Sequence, residues 1–212
     1  MAKPVIIFGA NGIGKAALEI FRSSGIDVLG FLDDDENLFG KEVNNIPVLG
    51  KTGNEEYLKL LKEKSESFVA LDETILRKKQ IETLVNEYKS MPINAIHSSA
   101  IIPDSVHIGH GNFINAGVII GSYAKVPNHC LLHSGTIIEH EAQLGNFTQI
   151  GAGSIINPGV IIEEGVFIGS GVTIVSGIIV RKNAKIGAGS VVVSNVEKSQ
   201  VMFGNPAKQV SA

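Results

Sequence analysis

From Ile96 to Val192 an aliphatic residue returns at every sixth position, seventeen times in succession without a slip. An α-helix needs apolar residues at intervals of about 3.6 and a half-buried strand at intervals of 2. A strict interval of six fits neither. It fits a short strand followed by a turn, stacked so that each aliphatic side chain lies over its equivalent one coil away. Glycine fills nine of the seventeen positions three residues after the aliphatic and six of those directly after it, so 15 of the 24 glycines punctuate the repeat. Glycine suits such corners because other residues are strained at positive φ. Four residues after the aliphatic the side chain is mostly small or β-branched, as at Ala100, Val118, Ala124, Thr136, Ser154 and Val172. The second half of the chain therefore reads as an all-β stack of six-residue repeats.

The first half is a different material. Of the 39 charged residues, 27 fall in the first 95 positions. Val5–Phe8 reads as a buried strand running into a glycine loop, with a helical stretch around Ala16 to Phe21. A second strand near Val28 to Leu32 leads into Asp33-Asp34-Asp35-Glu36. Asn54 to Lys64 has helical spacing, Phe68–Leu71 reads as a third strand, and Thr74 to Tyr88 as a helix with Ile75, Leu76, Ile81, Leu84 and Val85 as its apolar set, ended by Pro92. Strand–helix alternation implies a small parallel sheet, a βαβ unit equal to half a Rossmann domain. The expected organisation is a βαβ domain over 1–94 and a repeat domain over 95–212.

Composition removes several classes. With 44% hydrophobic residues and a mean hydropathy of +0.22 the chain is not a disordered one. No run approaches the roughly 20 apolar residues of a spanning helix, so no membrane partner is expected. A net charge of −3 leaves no footprint for nucleic acid. The single cysteine, Cys130, excludes an internal disulfide and suits a reducing cytoplasm. The first ten residues lead into a glycine loop and not a cleavage site, so no cleaved leader is expected and the protein reads as cytoplasmic.

The loop Gly9-Ala10-Asn11-Gly12-Ile13-Gly14-Lys15-Ala16 admits three readings. It nearly spells a Walker A loop, but Ala16 stands where Ser or Thr must reach Mg²⁺. It resembles a dinucleotide loop, with Asp33 near the usual ribose-binding acid, yet about 95 residues hold only half of that fold. The third reading uses the same physics on half the ligand. Loop amides at a helix N-terminus hold a diphosphate, and Asp33 or Asp34 accepts N–H bonds from the base.

The interval of six is the hexapeptide repeat, and the second half resembles the left-handed parallel β-helix acyltransferases. That likeness implies three hexads per coil and a trimer. The whole chain resembles the PglD/NeuD-type family, carried by Gly30-Phe31-Leu32-Asp33-Asp34, by Ile138-Glu139-His140-Glu141 inside the repeat, and by the closing Gly204-Asn205-Pro206-Ala207-Lys208. The family acetylates nucleotide-linked amino sugars, or sialic acids, in bacterial surface-glycan synthesis. The resemblance implies acetyl-CoA as co-substrate, a homotrimer with active sites between subunits, His140 as general base and Glu141 as its neighbouring carboxylate. A histidine, whose ordinary pKa is near 6.5, suits removal of a proton from the attacking amine at neutral pH. Adjacent residues of a strand face opposite ways, so a Glu141–His140 contact requires a corner or the next subunit. By the same match Asn11, Gly12, Ile13, Asp33, Asp34 and Asp72 bind substrate, while Gln149, Gly169, Ser170, Gly187 and Ala188 bind the CoA arm.

Three positions depart from the family pattern. Ile13 stands where the family commonly has His, the third strand leads into Leu71-Asp72 instead of Gly-Asn or Gly-Asp, and Gln149 replaces a histidine that contacts the acetyl donor. A metal is not expected: the three-histidine pattern of a hexapeptide zinc hydrolase would use His97 and His133, but position 138 is Ile. Two other activities fit the resemblance, an O-acetyltransferase acting on a sialic or other hydroxylated sugar and a non-catalytic module that binds a nucleotide sugar. The carboxylates of Asp33 and Asp34 do not by themselves choose among UDP, GDP and dTDP.

Overall fold

The computed structural model describes residues 3–61 and 63–210. The chain divides into two units between Ser98 and Ser99. Met1 and Ala2, within the stretch read for a leader, lie outside the described residues, as does Lys62 of the expected 54–64 helix.

In the first unit β1 (Val5–Phe8) is wholly buried and lies between β2 (Val28–Leu32) and a parallel strand near residue 66. Helix α1 (Gly12–Ser23) turns Ile13, Ala17, Leu18, Ile20 and Phe21 into the core. Sequence reading missed a hairpin: β3 (Glu42–Val43) pairs antiparallel with β4 (Ile46–Gly50), which then runs parallel to β2. Its two-residue turn is Asn44-Asn45, both at positive φ (49° and 63°). That is the turn whose twist matches a hairpin and whose residues tolerate a left-handed backbone. The expected helix over 54–64 shrinks to α2 (Glu55–Leu58), because the chain must turn at once into β5 (Glu66–Val69). The sheet order is β3-β4-β2-β1-β5.

Helix α3 (Thr74–Asn86) corrects the expected apolar face. Ile75 and Leu76 are 74% and 51% exposed, whereas Arg77 is buried beside Ile81 and Leu84. The Arg77 guanidinium donates to the Leu71 and Asp72 carbonyls at 2.8 and 3.0 Å. A buried cation is tolerated where such acceptors satisfy it.

The second unit is a left-handed parallel β-helix of two-residue strands. Ile114 aligns with Leu132, Leu132 with Ile150, and Ile150 with Ile168, each step spanning eighteen residues. A second face aligns Ile120, Ile138, Ile156, Ile174 and Val192, and the third includes Ile162 with Val180. Three hexads thus complete a coil. The stacked aliphatics are buried, with Ala124, Thr136, Ala142, Thr148 and Val160 filling the corners between them. Each such side chain contributes about 1.5–3 kcal/mol by leaving water. Beyond Val192 the step shortens to sixteen, Ile186 pairing with Met202, and the strand Lys208–Gln209 folds back antiparallel on Val201–Phe203.

Every sixth residue from Gly111 to Gly189 turns a corner at a φ between 60° and 72°. Most are glycine. Tyr123, His129, Glu141, Phe147 and Asn183 hold the same conformation with a side chain, at a cost of about 1–2 kcal/mol each.

Candidate active site and nucleotide crevice

His140 follows the strand Ile137–Ile138 and stands at the edge of a corner. Its backbone is clamped by the coils on either side: Glu141 N–H donates to the Ser122 carbonyl at 3.1 Å, and the His140 carbonyl accepts from Gly159 at 3.3 Å. Beneath it lies Gly121, where a Cβ would come within 2.5 Å of the His140 nitrogen. The ring is left in the open, 57% exposed, with Nδ1 at 3.7 Å from Glu139 Oε2. Within one chain the carboxylate beside the ring is therefore Glu139. Glu141, given that role by resemblance, is exposed at the corner with a φ of 60°.

Gln149 lies on another face of the coil, on the strand between Leu131–Leu132 and Phe167–Ile168. Its side-chain nitrogen is 3.4 Å from His133 Nε2, and the His133 ring leans on Phe113 at 5.7 Å. Sequence reading weighed His133 only as a metal ligand and not as a partner of Gln149. Its eighteen-residue offset, less two, from Gln149 is the signal that pairs them. Gly169-Ser170 and Gly187-Ala188 stack in one column above Gly151, closely enough that a Cβ on Gly169 would meet Ala188 N at 2.5 Å. The column ends under the Phe203 ring, against which a Cβ on Gly187 would collide. Gly169 and Gly187 themselves are buried between coils, and the small side chains of Ser170 and Ala188 are what this column shows to solvent.

In the first unit the carboxyl ends of β1, β2 and β5 form a crevice at the point where strand order reverses, the usual ligand position of an open α/β sheet. Gly9 has a φ of 108° and passes so near β5 that a Cβ would lie 2.8 Å from the Ala70 carbonyl. Asn11 precedes α1 without capping it by its side chain; its carbonyl accepts from Gly14 N–H at 2.6 Å, which leaves the Gly12 and Ile13 amides of the first turn uncapped by that side chain. Asp72 Oδ2 lies 3.0 Å from a Cβ built on Gly12, so a carboxylate already leans on this N-terminus. Ile13 is 4% exposed and belongs to the core; only its backbone can face a ligand.

Asp33 and Asp34 do different things. Asp33 accepts from Ala10 N–H at 2.7 Å and from Asp35 N–H at 2.8 Å, tying the β1 loop to the end of β2. Asp34 accepts from the Thr52 amide and hydroxyl at 2.9 and 3.0 Å. Next to Thr52, the Lys51–Glu36 pair closes at 2.8 Å, its hydrogen bond and charge holding the Glu36 carboxyl below its ordinary range and Lys51 above its own. Asn11, Gly12, Asp33 and Asp72 thus come together, with Asp34 opening a neighbouring slot. Among the described residues no group of three or more His, Cys, Asp or Glu is placed to hold a metal ion. Among them, too, no helix is long and apolar enough to cross a membrane.

A crevice at a strand switch point, joined in one chain to a hexapeptide β-helix with an open histidine, defines an acyltransferase. The family comparisons agree: the PglD N-terminal domain matches residues 4–84, the bacterial transferase hexapeptide matches 141–176, and the hexapeptide repeat of succinyl-transferase matches 159–194. The chain thus carries a PglD N-terminal domain followed by transferase hexapeptide repeats, and it is an acyltransferase similar to the PglD/NeuD-type sugar enzymes. Among solved structures, PerB from Caulobacter crescentus in complex with CoA and GDP-perosamine is 28% identical, with 100% of this chain and 99% of that chain covered and a TM-score of 0.89. The acetyltransferase domain of PglB from Neisseria gonorrhoeae, bound to acetyl coenzyme A, shares the fold at 24% identity and a TM-score of 0.90, over 99% of this chain and 100% of that one. WeeI from Acinetobacter baumannii shares it at 22% and 0.87, with 99% and 100% covered. A search of the curated proteins found no match.

Proposed function

We propose that the protein transfers an acetyl group from acetyl-CoA to the amine of a nucleotide-linked amino sugar, in bacterial surface-glycan synthesis, with His140 as general base. The observation that carries this reading is the open His140 ring on a backbone held by both neighbouring coils. The amine nitrogen attacks the thioester carbon directly. Its N–H proton passes to His140, the C–S bond breaks, and the same proton leaves with the CoA thiol, giving an amide and free CoA. Within the chain, Glu139 is the carboxylate at 3.7 Å from the ring nitrogen Nδ1. Glu141 keeps a costly corner conformation beside it, as strained residues at reactive sites do; its carboxylate is available to a ring or amine brought by another copy. Gln149, beside His133, and the small-residue column of Gly169, Ser170, Gly187 and Ala188 line the pantetheine path.

The nucleotide is held by the first unit, with Asn11 and Gly12 amides on the diphosphate, Asp72 beside them at the helix N-terminus, and the Asp33 and Asp34 carboxylates around ribose and base. The working form is a homotrimer. Ile119, Ile137 and Ile155 stack outward on one face of the coil with Thr173 and Val191, an apolar ladder of a kind that sister subunits cover. PerB supports the reading from outside: its solved complexes with CoA and GDP-perosamine include asparagine and alanine variants of one histidine.

Replacing His140 by Ala should lower turnover about 10²–10⁴-fold, the worth of a positioned general base, with CoA affinity retained. Thiol release from acetyl-CoA, measured with a panel of UDP-, GDP- and dTDP-amino sugars, reads this directly. Full activity in the variant would overturn the assignment, and transfer to hydroxyl counterparts alone would make the enzyme an O-acetyltransferase.

A further inference from the structure

We infer that the slot beside the crevice is built for guanine and discriminates against uracil and thymine. The inference deepens the nucleotide reading above and rests on it. The slot has a volume of about 340 Å³. One wall comes from the ends of β2 and β4, as Asp34 and Thr52; the other is a single face of α3, as Leu76, Lys79, Gln80 and Thr83, spaced for neighbouring helical turns. Leu71 adds a second aliphatic surface.

The chemistry of the walls is asymmetric. Asp33 spends an oxygen on each of two backbone amides and shapes the loop. Among the described residues the hydrogen bonds to Asp34 come from Thr52, with Oδ2 accepting from the Thr52 hydroxyl at 3.0 Å, and the Lys51 ammonium acts on it by charge. A carboxylate has about four acceptor sites, so Asp34 keeps capacity for further donors. The α3 wall carries an ammonium, Lys79, which only donates, and an amide, Gln80, whose NH2 can donate beside it. Leu76, 51% exposed, offers a flat ring an aliphatic surface to cover.

A ring seated here meets an acceptor at one edge and donors at the other. Guanine carries N1–H and an amino group on one edge and the O6 and N7 acceptors on the other. Of guanine, uracil, thymine and adenine, guanine alone presents two adjacent donors to a carboxylate and two further acceptors to the other wall. Uracil and thymine place their one N–H between two carbonyls on a single edge and turn C–H bonds to the opposite wall. Adenine sets a bare ring nitrogen beside its amino group, facing the carboxylate with a lone pair. Asp34 therefore reads N1–H and the amino group of guanine, while Lys79 and Gln80 read O6 and N7.

Calorimetric titration of the full chain with GDP, UDP, dTDP and ADP, without sugar or CoA, tests this apart from catalysis. GDP should bind at least about tenfold more tightly than the others, the discrimination expected of a good paired base contact. Lys79→Ala should weaken GDP and leave UDP unchanged, and Asp34→Asn should erase the preference. UDP or dTDP binding as tightly as GDP, or Lys79→Ala weakening all diphosphates alike, would overturn the base assignment while the nucleotide reading stands. Failure of every diphosphate to bind would remove the nucleotide reading itself.

Discussion

Gly121 and Gly145 occupy the same place in two hexads, directly after the stacked aliphatic, and each is pressed against the coil above. A Cβ on Gly121 would meet His140 and the Glu139 carbonyl carbon at 2.5 and 2.8 Å; one on Gly145 would meet the backbone of Glu163 and Glu164. Gly→Ala at either should cost about 1–3 kcal/mol of stability by overpacking. The consequences for activity should separate. Gly121→Ala displaces the proposed base and should lower kcat about 10–10²-fold, since small misplacements of reacting groups are costly, whereas Gly145→Ala should stay near wild type. Equal kcat losses in steady-state assays would show that Gly121 acts through folding alone. Asp72 carries a second prediction at this scale. Its carboxylate shares the α1 N-terminus with the proposed diphosphate, so Asp72→Asn should tighten nucleoside diphosphate binding about 2–5-fold, the usual worth of a charge at a helix end. A weaker complex by calorimetry would instead make Asp72 a ligand contact. The first relation follows from the eighteen-residue step expected of three hexads per coil; the second was not legible in the sequence. Position 121 is nineteen residues from 140 and 72 is sixty from 12, and only stacking and sheet order make them neighbours.

At the scale of elements, α3 shows why periodicity misled. The apolar set expected from the sequence put Ile75 and Leu76 in the core, but Arg77 takes that place because two carbonyls at the end of the β5 turn accept its charge. Arg77→Met should therefore lose charged-donor hydrogen bonds worth about 1.5–3 kcal/mol and loosen Leu71 and Asp72. Thermal unfolding should show a lowered Tm, and nucleotide affinity should fall with it. An unchanged Tm would mean that the methionine packs as well as the guanidinium bonds. The β3–β4 hairpin was missed for a different reason. Its strands are short and partly exposed, and their signal lay in the Asn44-Asn45 turn instead of any hydrophobic run.

At the scale of the whole molecule, the outward ladder of Ile119, Ile137 and Ile155 makes association testable. Ile137→Glu would set a charge in an apolar contact between copies, and sedimentation should show the assembly broken with the β-helix intact by circular dichroism. A wild-type sedimentation profile would remove this face from the interface. The repeat was legible from end to end because each hexad meets only its neighbours, so linear order and spatial order coincide. The site was not, because function draws on side chains that the coil's eighteen-residue step and the sheet's β3-β4-β2-β1-β5 order bring together.

The sequence by itself determined a βαβ unit followed by a hexapeptide β-helix, where the corners fall, and which histidine stands in the Ile138-Glu139-His140-Glu141 motif. These are local or periodic properties, written residue by residue. Tertiary structure alone decided that Glu139 is the carboxylate nearest His140 within a chain, that Asp33 is committed to the loop while Asp34 keeps acceptor capacity, and that Lys79 and Gln80 share a slot with Asp34. The first depends on how the corner turns two adjacent side chains, and the other two on where distant segments meet. That is set by the packing of sheet, helix and coil, which no local pattern encodes.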